Sequence, residues 1–218
     1  MTRLRSILSG SNAEIFKTLL MFYKTPPCRV IDVTCGYKHF WDLTKSSVNT
    51  QDLFGLPAYQ VTFSDIRPIG DIQEDYRFIA DRHPEFHLAF DVVVFDPPYT
   101  PLTLRVDGVD AWLGEKERYG MEHKQADLLT KDSLRRFAVQ AFQMLKKDGI
   151  AIIKLQDTVN WWHFKFWEVI HPFELEALYI HNLGQNWAEN VEVKDAKKPI
   201  PIHAYWFILK KPLKKPMK

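Results

Sequence analysis

Apolar and polar positions in the first third of the chain predict one helix followed by two buried strands. Apolar residues recur at helical spacing over 12–24, and Ser11 or Asn12 is placed to cap the start of this helix. The runs at 28–33 (CRVIDV) and 59–66 (YQVTFSDI) are short and apolar, which favours buried strands. A helix-sized segment separates them, so the chain begins with the strand, helix, strand order of an α/β fold.

The rest of the chain continues this alternation. The run at 90–96 (FDVVVFD) predicts a further buried strand, and the pattern over 131–149 predicts an amphipathic helix closed by Gly149 in a left-handed cap. The remaining predicted elements are a strand at 150–157, a helix at 161–170 and strands at 173–182 and 203–211. The order predicts a mostly parallel sheet with helices on both faces. The last two strands lack an intervening helical pattern, which predicts an antiparallel end.

Composition limits the number of domains and the class of protein. The chain has 218 residues, of which 46% are hydrophobic, so we expect one sizeable core and a single domain over 1–218. The formal net charge is only +2, which gives no whole-molecule field that would by itself attract nucleic acid. Lysines are concentrated in 210–218, which predicts a basic tail. Any nucleic-acid surface must therefore be local.

The cysteines and the apolar runs indicate the compartment, and the spacing of the histidines argues against a metal site. The two cysteines, Cys28 and Cys35, are too few for a disulfide framework and favour a reducing compartment. No apolar leader follows Met1 and no apolar run reaches about 18 residues, so we expect a cytoplasmic protein that does not cross a membrane. The histidines show no metal-ligand spacing, so we predict no metal site.

Acidic residues stand at the predicted strand ends, where ligands bind in open α/β sheets. Asp32 ends the first strand and precedes a turn containing Gly36, through which backbone can approach a ligand closely. Asp65 ends the second strand, where a carboxylate can hold ribose hydroxyls, and Asp71 follows in a loop suited to contact an adenine ring. Each also has a purely structural interpretation, as part of a tight turn, a helix cap or a solvated loop. The pattern G-x-G-x-x-G is absent, which argues against an NAD enzyme.

The tetrapeptide DPPY at 96–99 is more specific. Pro97 and Pro98 cannot continue the hydrogen-bonded ladder, so the chain leaves the sheet in a stiff turn with free carbonyls. The Asp96 carboxylate and the Pro97 carbonyl can accept both N–H groups of an exocyclic amine, while Tyr99 stacks on its ring. Such a set exposes the nitrogen lone pair for attack on a methyl sulfonium. The structural alternative is a strand-ending turn with Tyr99 as a packing residue.

Three segments, VIDVTCG, FSDI and VVVFDPPY, together resemble one family. They are similar to class I S-adenosylmethionine-dependent methyltransferases, specifically the nucleic-acid amino-methyltransferases with a (D/N/S)-P-P-(Y/F/W) motif. The similarity extends from the helix at 12–24 to the last strand at 203–211. It implies a Rossmann-like, seven-stranded sheet with an antiparallel last strand, and S-adenosylmethionine as the cofactor.

The resemblance also assigns roles to residues. The catalytic residues it implies are Asp96, Pro97, Pro98 and Tyr99. The cofactor-binding residues it implies are Asp32, Thr34, Cys35, Gly36, Lys38, Asp65, Ile66, Asp71, Ile72 and Asp96. Many relatives read D-P-x-x-G-x-G in the first motif, whereas here Val33 replaces the proline and Lys38 replaces the second glycine. We expect the Lys38 side chain to meet the cofactor carboxylate.

The target molecule depends on two long loops at 100–130 and 182–201. Their aromatic and basic residues are the predicted substrate contacts, namely Arg105, Trp112, Tyr119, Lys124 and Trp187. A solvated loop with incidental charges is the alternative for each. A partner subunit that supplies target recognition fits the lack of room for a large recognition domain.

These observations predict a methyltransferase acting on the exocyclic amine of a nucleobase, with N6 of adenine in DNA as the favoured acceptor. The alternatives with the same chemistry are N4 of cytosine in DNA, N6 of adenine in RNA and, less favoured, a protein glutamine. An alternative of another class is a catalytically silent subunit that binds nucleic acid or a partner. The altered first motif favours that alternative, and the intact DPPY opposes it.

Overall fold

The structure is a computed structural model. It describes residues 4–41, 59–97, 105–106, 109–110, 130–156, 166–182 and 203–212.

Strands dominate the described residues. The strands are β1 (Ile7–Leu8), β2 (Cys28–Asp32), β3 (Tyr59–Asp65), β4 (Ile72–Gln73), β5 (Phe90–Phe95), β6 (Arg105–Val106), β7 (Val109–Asp110), β8 (Leu145–Gln156), β9 (Glu174–Asn182) and β10 (His203–Lys210). The helices are α1 (Asn12–Tyr23), α2 (Ile79–Arg82) and α3 (Lys131–Met144), with a 3-10 turn at Pro84–Phe86.

Eight of these strands form one sheet in the order β1-β9-β10-β8-β5-β2-β3-β4. Strand β10 is antiparallel to both of its neighbours, β8 and β9, and the other pairs are parallel. The predicted mostly parallel sheet with an antiparallel end is therefore confirmed. The sheet has eight strands rather than seven, namely six longer strands and a two-residue strand at each edge, β1 and β4. Strands β6 and β7 pair separately as an antiparallel ribbon.

The core lies on both faces of the sheet. On one face, α1 buries Phe16 and Leu19 against apolar strand residues that include Trp206. On the other face, Phe137 of α3 stacks on Phe95 of β5 with ring centroids 3.8 Å apart. Burial of one such side chain contributes about 1.5–3 kcal/mol. The prediction of helices on both faces is confirmed.

The start of α1 follows from its first residues. Ser11 is the N-cap, and its Oγ accepts from the Glu14 backbone N–H at 3.2 Å. The Glu14 carboxylate in turn accepts from the Ser11 backbone N–H at 2.8 Å. This reciprocal capping box satisfies two donors that a helix start otherwise leaves unpaired.

The end of α3 differs from the prediction. The helix ends at Met144, and β8 already begins at Leu145, which is fully buried and pairs with Phe90. The residue with positive φ is Asp148 (63°), so the prediction of a left-handed helix cap at Gly149 was wrong. A Cβ on Gly149 would lie 2.9 Å from the Lys146 carbonyl oxygen. Glycine is required there because the Lys146 carbonyl approaches closely. This approach arises because the chain enters the sheet already at Leu145.

The predicted basic tail also begins later than residue 210. Lys210 is the last residue of β10, and Lys211 is buried. The Lys211 ammonium donates to the carbonyl oxygens of Phe142 (2.6 Å) and Leu145 (2.7 Å), at the end of α3. A cation there satisfies carbonyls that lack helical partners and interacts favourably with the helix dipole. Burial lowers the pKa of Lys211. Both lysines therefore belong to the fold.

Two expectations are tested only in part. Of the predicted helix at 161–170, residues 161–165 lie outside the described residues, and Phe166 and Trp167 are helical. Within the described residues, no helix combines the length and the apolar character that crossing a bilayer requires.

Candidate active site

The carboxyl ends of β2 and β5 lie side by side at the centre of the sheet. Asp32 at the end of β2 pairs in register with Val94 of β5. The strand order reverses here, because β3 and β4 continue on one side of this pair and β8 on the other. Open α/β sheets bind ligands at such a switch point. A cleft opens there, lined by Asp32, Thr34, Cys35, Gly36, Tyr37, His39, Phe40 and Asp96.

Asp32 forms the floor of this cleft and is buried. Its carboxylate accepts from the indole Nε1–H of Trp41 at 2.8 Å and from the backbone N–H of Thr34 at 3.1 Å. Burial raises the pKa of Asp32 to about 7, against the effect of these two hydrogen bonds, and the nearby Asp96 and Asp65 add to the rise. Asp32 therefore changes charge near neutral pH.

The loop after β2 ties the strand ends together. Thr34 Oγ1 accepts from the backbone N–H of Asp96 at 2.8 Å, which links the ends of β2 and β5. The backbone N–H of Cys35 donates to the Ser64 carbonyl at 3.1 Å, which links β2 to β3. Burial raises the pKa of the Cys35 thiol to about 12, so the thiol stays protonated.

Gly36 allows the turn in this loop. Its φ is +50°, a left-handed conformation in which side chains are disfavoured. A Cβ at Gly36 would meet nothing closer than the Arg67 guanidinium at 3.8 Å. Backbone conformation rather than lack of space therefore requires glycine here, and the backbone remains open to the cleft.

Asp65 joins two loops through its carboxylate. Oδ2 accepts from the Gly36 backbone N–H at 2.9 Å, and Oδ1 accepts from the backbone N–H (3.0 Å) and Nε (3.1 Å) of Arg67. Asp65 thus has the structural role of a turn residue. Hydrogen bonding to a ribose stays a prediction. The adjacent Ile66 is 55% exposed, beside the turn rather than in the core.

Asp71 is held in the turn that leads into β4. Its carboxylate accepts from the Phe63 backbone N–H at 2.8 Å, and its own backbone N–H donates to the Phe63 carbonyl at 2.7 Å. The next residue, Ile72, is partly buried against the core on the α3 side of the sheet. Asp71 therefore has the structural role of a turn residue, and its approach to an adenine amine stays a prediction.

Lys38 adopts the conformation expected of the glycine that it replaces. Its φ is 60°, and its ammonium lies 4.0 Å from the centre of the Phe63 ring. This cation–π contact orients the side chain and partly offsets the cost of the left-handed backbone. Lysine therefore occupies a backbone conformation here that glycine adopts more readily. A contact with a cofactor carboxylate stays a prediction.

Asp96 faces the cleft from the end of β5. Its side chain is 26% exposed and forms an ion pair with Lys154 of β8, with 3.4 Å between Nζ and Oδ2. Pro97 is buried directly after it. Pro98 and Tyr99 lie outside the described residues, so the predicted stacking on Tyr99 stays untested.

Sequence reasoning missed Lys154 and Trp41. Lys154 interrupts the apolar strand pattern of 150–157, and a charge in a buried strand signals a specific partner. Trp41 carried no comparable signal, because its bond to Asp32 becomes visible only when the loop is folded. Both residues position carboxylates that the sequence had identified.

The predicted substrate residues remain untested. Arg105 contributes backbone to the β6–β7 ribbon. The other four, Trp112, Tyr119, Lys124 and Trp187, lie outside the described residues.

No protein-family model and no curated protein matches the sequence. Solved structures share the fold. The N-methyltransferase NodS from Bradyrhizobium japonicum, solved with S-adenosyl-L-homocysteine, aligns with a TM-score of 0.54 and 11% identity, covering 92% of this chain and 86% of NodS. TrmN from Thermus thermophilus aligns with a TM-score of 0.51 and 14% identity, covering 92% of this chain. The chain spans about half of TrmN, 49% of its length. The chain therefore has the Rossmann-like fold of S-adenosylmethionine-dependent methyltransferases, as the sequence predicted.

Proposed function

We propose that the protein transfers a methyl group from S-adenosylmethionine to the exocyclic amine of a nucleobase. N6 of adenine in DNA is the acceptor that we favour. The observation that carries the proposal is the position of Asp96. Its carboxylate opens into the cleft that it shares with Asp32, at the switch point of a methyltransferase fold. The fold relative NodS is an N-methyltransferase that binds the demethylated cofactor, which supports the same donor.

The residues of the cleft fit the cofactor. Both hydrogen-bond donors to Asp32 are neutral N–H groups, so its buried carboxylate favours a ligand that brings a cation. The open backbone of Gly36 allows close approach of a ligand, and Asp65 lies at the adjacent strand end. We expect Asp32 and Gly36 to hold the methionine end and Asp65 the ribose. When bound, S-adenosylmethionine supplies an electrophilic methyl group on a sulfonium.

The acceptor end provides hydrogen-bond acceptors rather than a covalent nucleophile. The Asp96 carboxylate can accept a hydrogen bond from an N–H of the target amine. This bond directs the nitrogen lone pair away from the ring that carries the amine. The backbone N–H of Asp96 is held by Thr34, so the position of the residue is fixed before a substrate arrives. Preorganised acceptors of this kind act through orientation and electrostatics.

The proposal is tested in two stages. Calorimetric titration with S-adenosylmethionine should show binding, and a protein that binds none would refute the methyltransferase function. Incubation with methyl-labelled cofactor and duplex DNA, single-stranded DNA or RNA, followed by nucleoside mass spectrometry, should then identify N6-methyladenine in DNA. Label in cytosine, in RNA or in protein glutamine would instead identify one of the alternative acceptors. Cofactor binding without any transfer would support the silent subunit.

A further inference from the structure

Lys154 is a buried cation on the side of the sheet that α1 covers. It lies on β8 between Ile153 and Leu155, and only 6% of the residue is exposed. Removing an ammonium from water is unfavourable unless a partner compensates its charge. An apolar residue of similar volume would fit such a strand at lower cost. The presence of lysine at this position therefore calls for an explanation beyond packing.

Lys154 forms an ion pair with the carboxylate of Asp96. The ammonium Nζ lies 3.4 Å from Oδ2 and 3.5 Å from Oδ1, so it approaches both oxygens almost equally. The lysine side chain is 8% exposed and the aspartate side chain 26%. The cation thus lies behind the carboxylate, and the carboxylate lies at the border of the cleft. The ring of Phe40, with its centre 5.5 Å from Nζ, lines the cleft beside them.

This arrangement controls the net charge at the acceptor end. A lone carboxylate in a cleft attracts cations, including the ammonium of an aliphatic amine, which is protonated at neutral pH. A carboxylate backed by an ammonium still accepts hydrogen bonds, but the ammonium offsets its negative charge. It therefore favours a neutral NH2 group, such as that of a nucleobase or an amide, over an alkylammonium group.

We propose that Lys154 is a positioning and specificity-determining residue, which orients Asp96 and offsets its negative charge, so that the acceptor end takes neutral planar amines and rejects alkylammonium ions. The proposal deepens the proposed function and rests on it for the reaction. The ion pair and its effect on amine binding do not depend on which substrate is methylated.

A second ion pair provides a matched control. Lys146 and Asp91 join the same two strands, β8 and β5, at their opposite ends, with 2.8 Å between Nζ and Oδ2. Lys146 is 40% exposed and lies far along the strand from the cleft. Lys146→Met therefore removes a cation from the same pair of strands without changing the acceptor end.

The closing experiment measures amine binding directly. Binding of n-butylammonium chloride to wild type, Lys154→Met and K146M is followed by saturation-transfer NMR in the presence of S-adenosyl-L-homocysteine. We expect K154M to bind the ammonium at least about tenfold more tightly than wild type, and K146M to match wild type. Equal binding by K154M and wild type would overturn the proposal. If K154M does not fold, Lys154→Gln removes the charge with a smaller change in polarity and takes its place.

Transfer assays give the second readout. With the substrate that nucleoside mass spectrometry identifies, K154M should lower kcat at least about tenfold with unchanged cofactor affinity, and Lys154→Arg should restore part of the loss. A K154R variant as inactive as K154M, with both folded, would contradict the role of the charge. If wild type methylates no substrate, the proposed function fails, whereas the n-butylammonium measurement still decides the role of Lys154.

Discussion

Strands β5 and β8 are joined by an aspartate–lysine pair at each end, and the two pairs differ in structure. At the amino end, Asp91 Oδ2 accepts from Lys146 at 2.8 Å and also from the Arg29 backbone N–H at 2.8 Å. Although burial acts to raise it, these hydrogen bonds lower the pKa of Asp91. At the carboxyl end, Lys154 is buried and lies 3.4 Å from the more exposed Asp96.

The difference shows which pair serves the fold and which serves the cleft. Exposed ion pairs contribute about 0–1 kcal/mol, so Asp91 and Lys146 add modestly to the pairing of the strands. A buried ammonium with a longer contact is a poor way to stabilise a sheet. Its arrangement leaves the Asp96 carboxylate oriented toward the cleft, where a ligand can use it. In the first pair the lysine is the more exposed partner, whereas in the second pair the aspartate is. The same two residue types therefore have different roles.

The largest expected effect concerns methyl transfer. Asp96→Asn should reduce transfer at least about 100-fold, because it removes the charged acceptor for the target amine. Calorimetry should show that its cofactor affinity stays within about threefold of wild type. Asp91→Asn at the other end should leave transfer nearly unchanged. If D91N and D96N lowered transfer equally, both pairs would be structural and the distinction would fail.

A second effect concerns Asp32, the carboxylate of the cleft whose donors are neutral. Burial raises its pKa to about 7 from the ordinary 3.8. Between these pH values the folded protein keeps a proton that the unfolded chain has released, so Asp32 lowers the free energy of unfolding as pH rises. Between pH 4 and pH 8, the free energy of unfolding of Asp32→Asn should rise by about 2–4 kcal/mol relative to that of wild type. Urea unfolding at several pH values measures the difference, and parallel pH curves would show that Asp32 stays ionised.

The stability cost of removing each aspartate should differ as well. D96N leaves the buried ammonium of Lys154 beside a neutral amide and should cost about 1–3 kcal/mol. The double variant D96N/K154M should recover part of this loss, since the buried charge is gone. D91N, at a more exposed pair, should cost about 1 kcal/mol or less. Chemical denaturation of the four proteins provides the comparison, and a double variant less stable than D96N would argue against a buried-charge penalty.

The smallest expected effect is at Lys38, whose pairing is with an aromatic ring. Lys38→Gly relieves a positive φ but removes the contact with Phe63, so the free energy of unfolding should change by less than about 1 kcal/mol. Cofactor affinity separates the two roles of this residue. Affinity equal to wild type would leave Lys38 a structural residue, and a fall of about tenfold would support the predicted contact with the cofactor carboxylate.

Several features of the fold and the site could be predicted because their signals are local. The capping box at Ser11 and Glu14 follows from residues three apart. Apolar runs that stop at Asp32, Asp65 and Asp96 mark strand ends, and a parallel sheet brings such ends to one edge. The end of α3 could not be predicted from its pattern. Burial of Leu145 in the sheet prevailed over the glycine signal that follows it.

The sequence by itself determined the order of the longer strands and helices that the structure describes, and the acidic residues at the edge where a ligand can bind. Only the tertiary structure decided which charges are compensated. Lys154 and Asp96 are 58 positions apart along the chain, and the Trp41 indole reaches Asp32 only through the folded loop. Strand periodicity depends on neighbouring residues, whereas the charge of a carboxylate depends on burial and on partners that folding brings from distant segments.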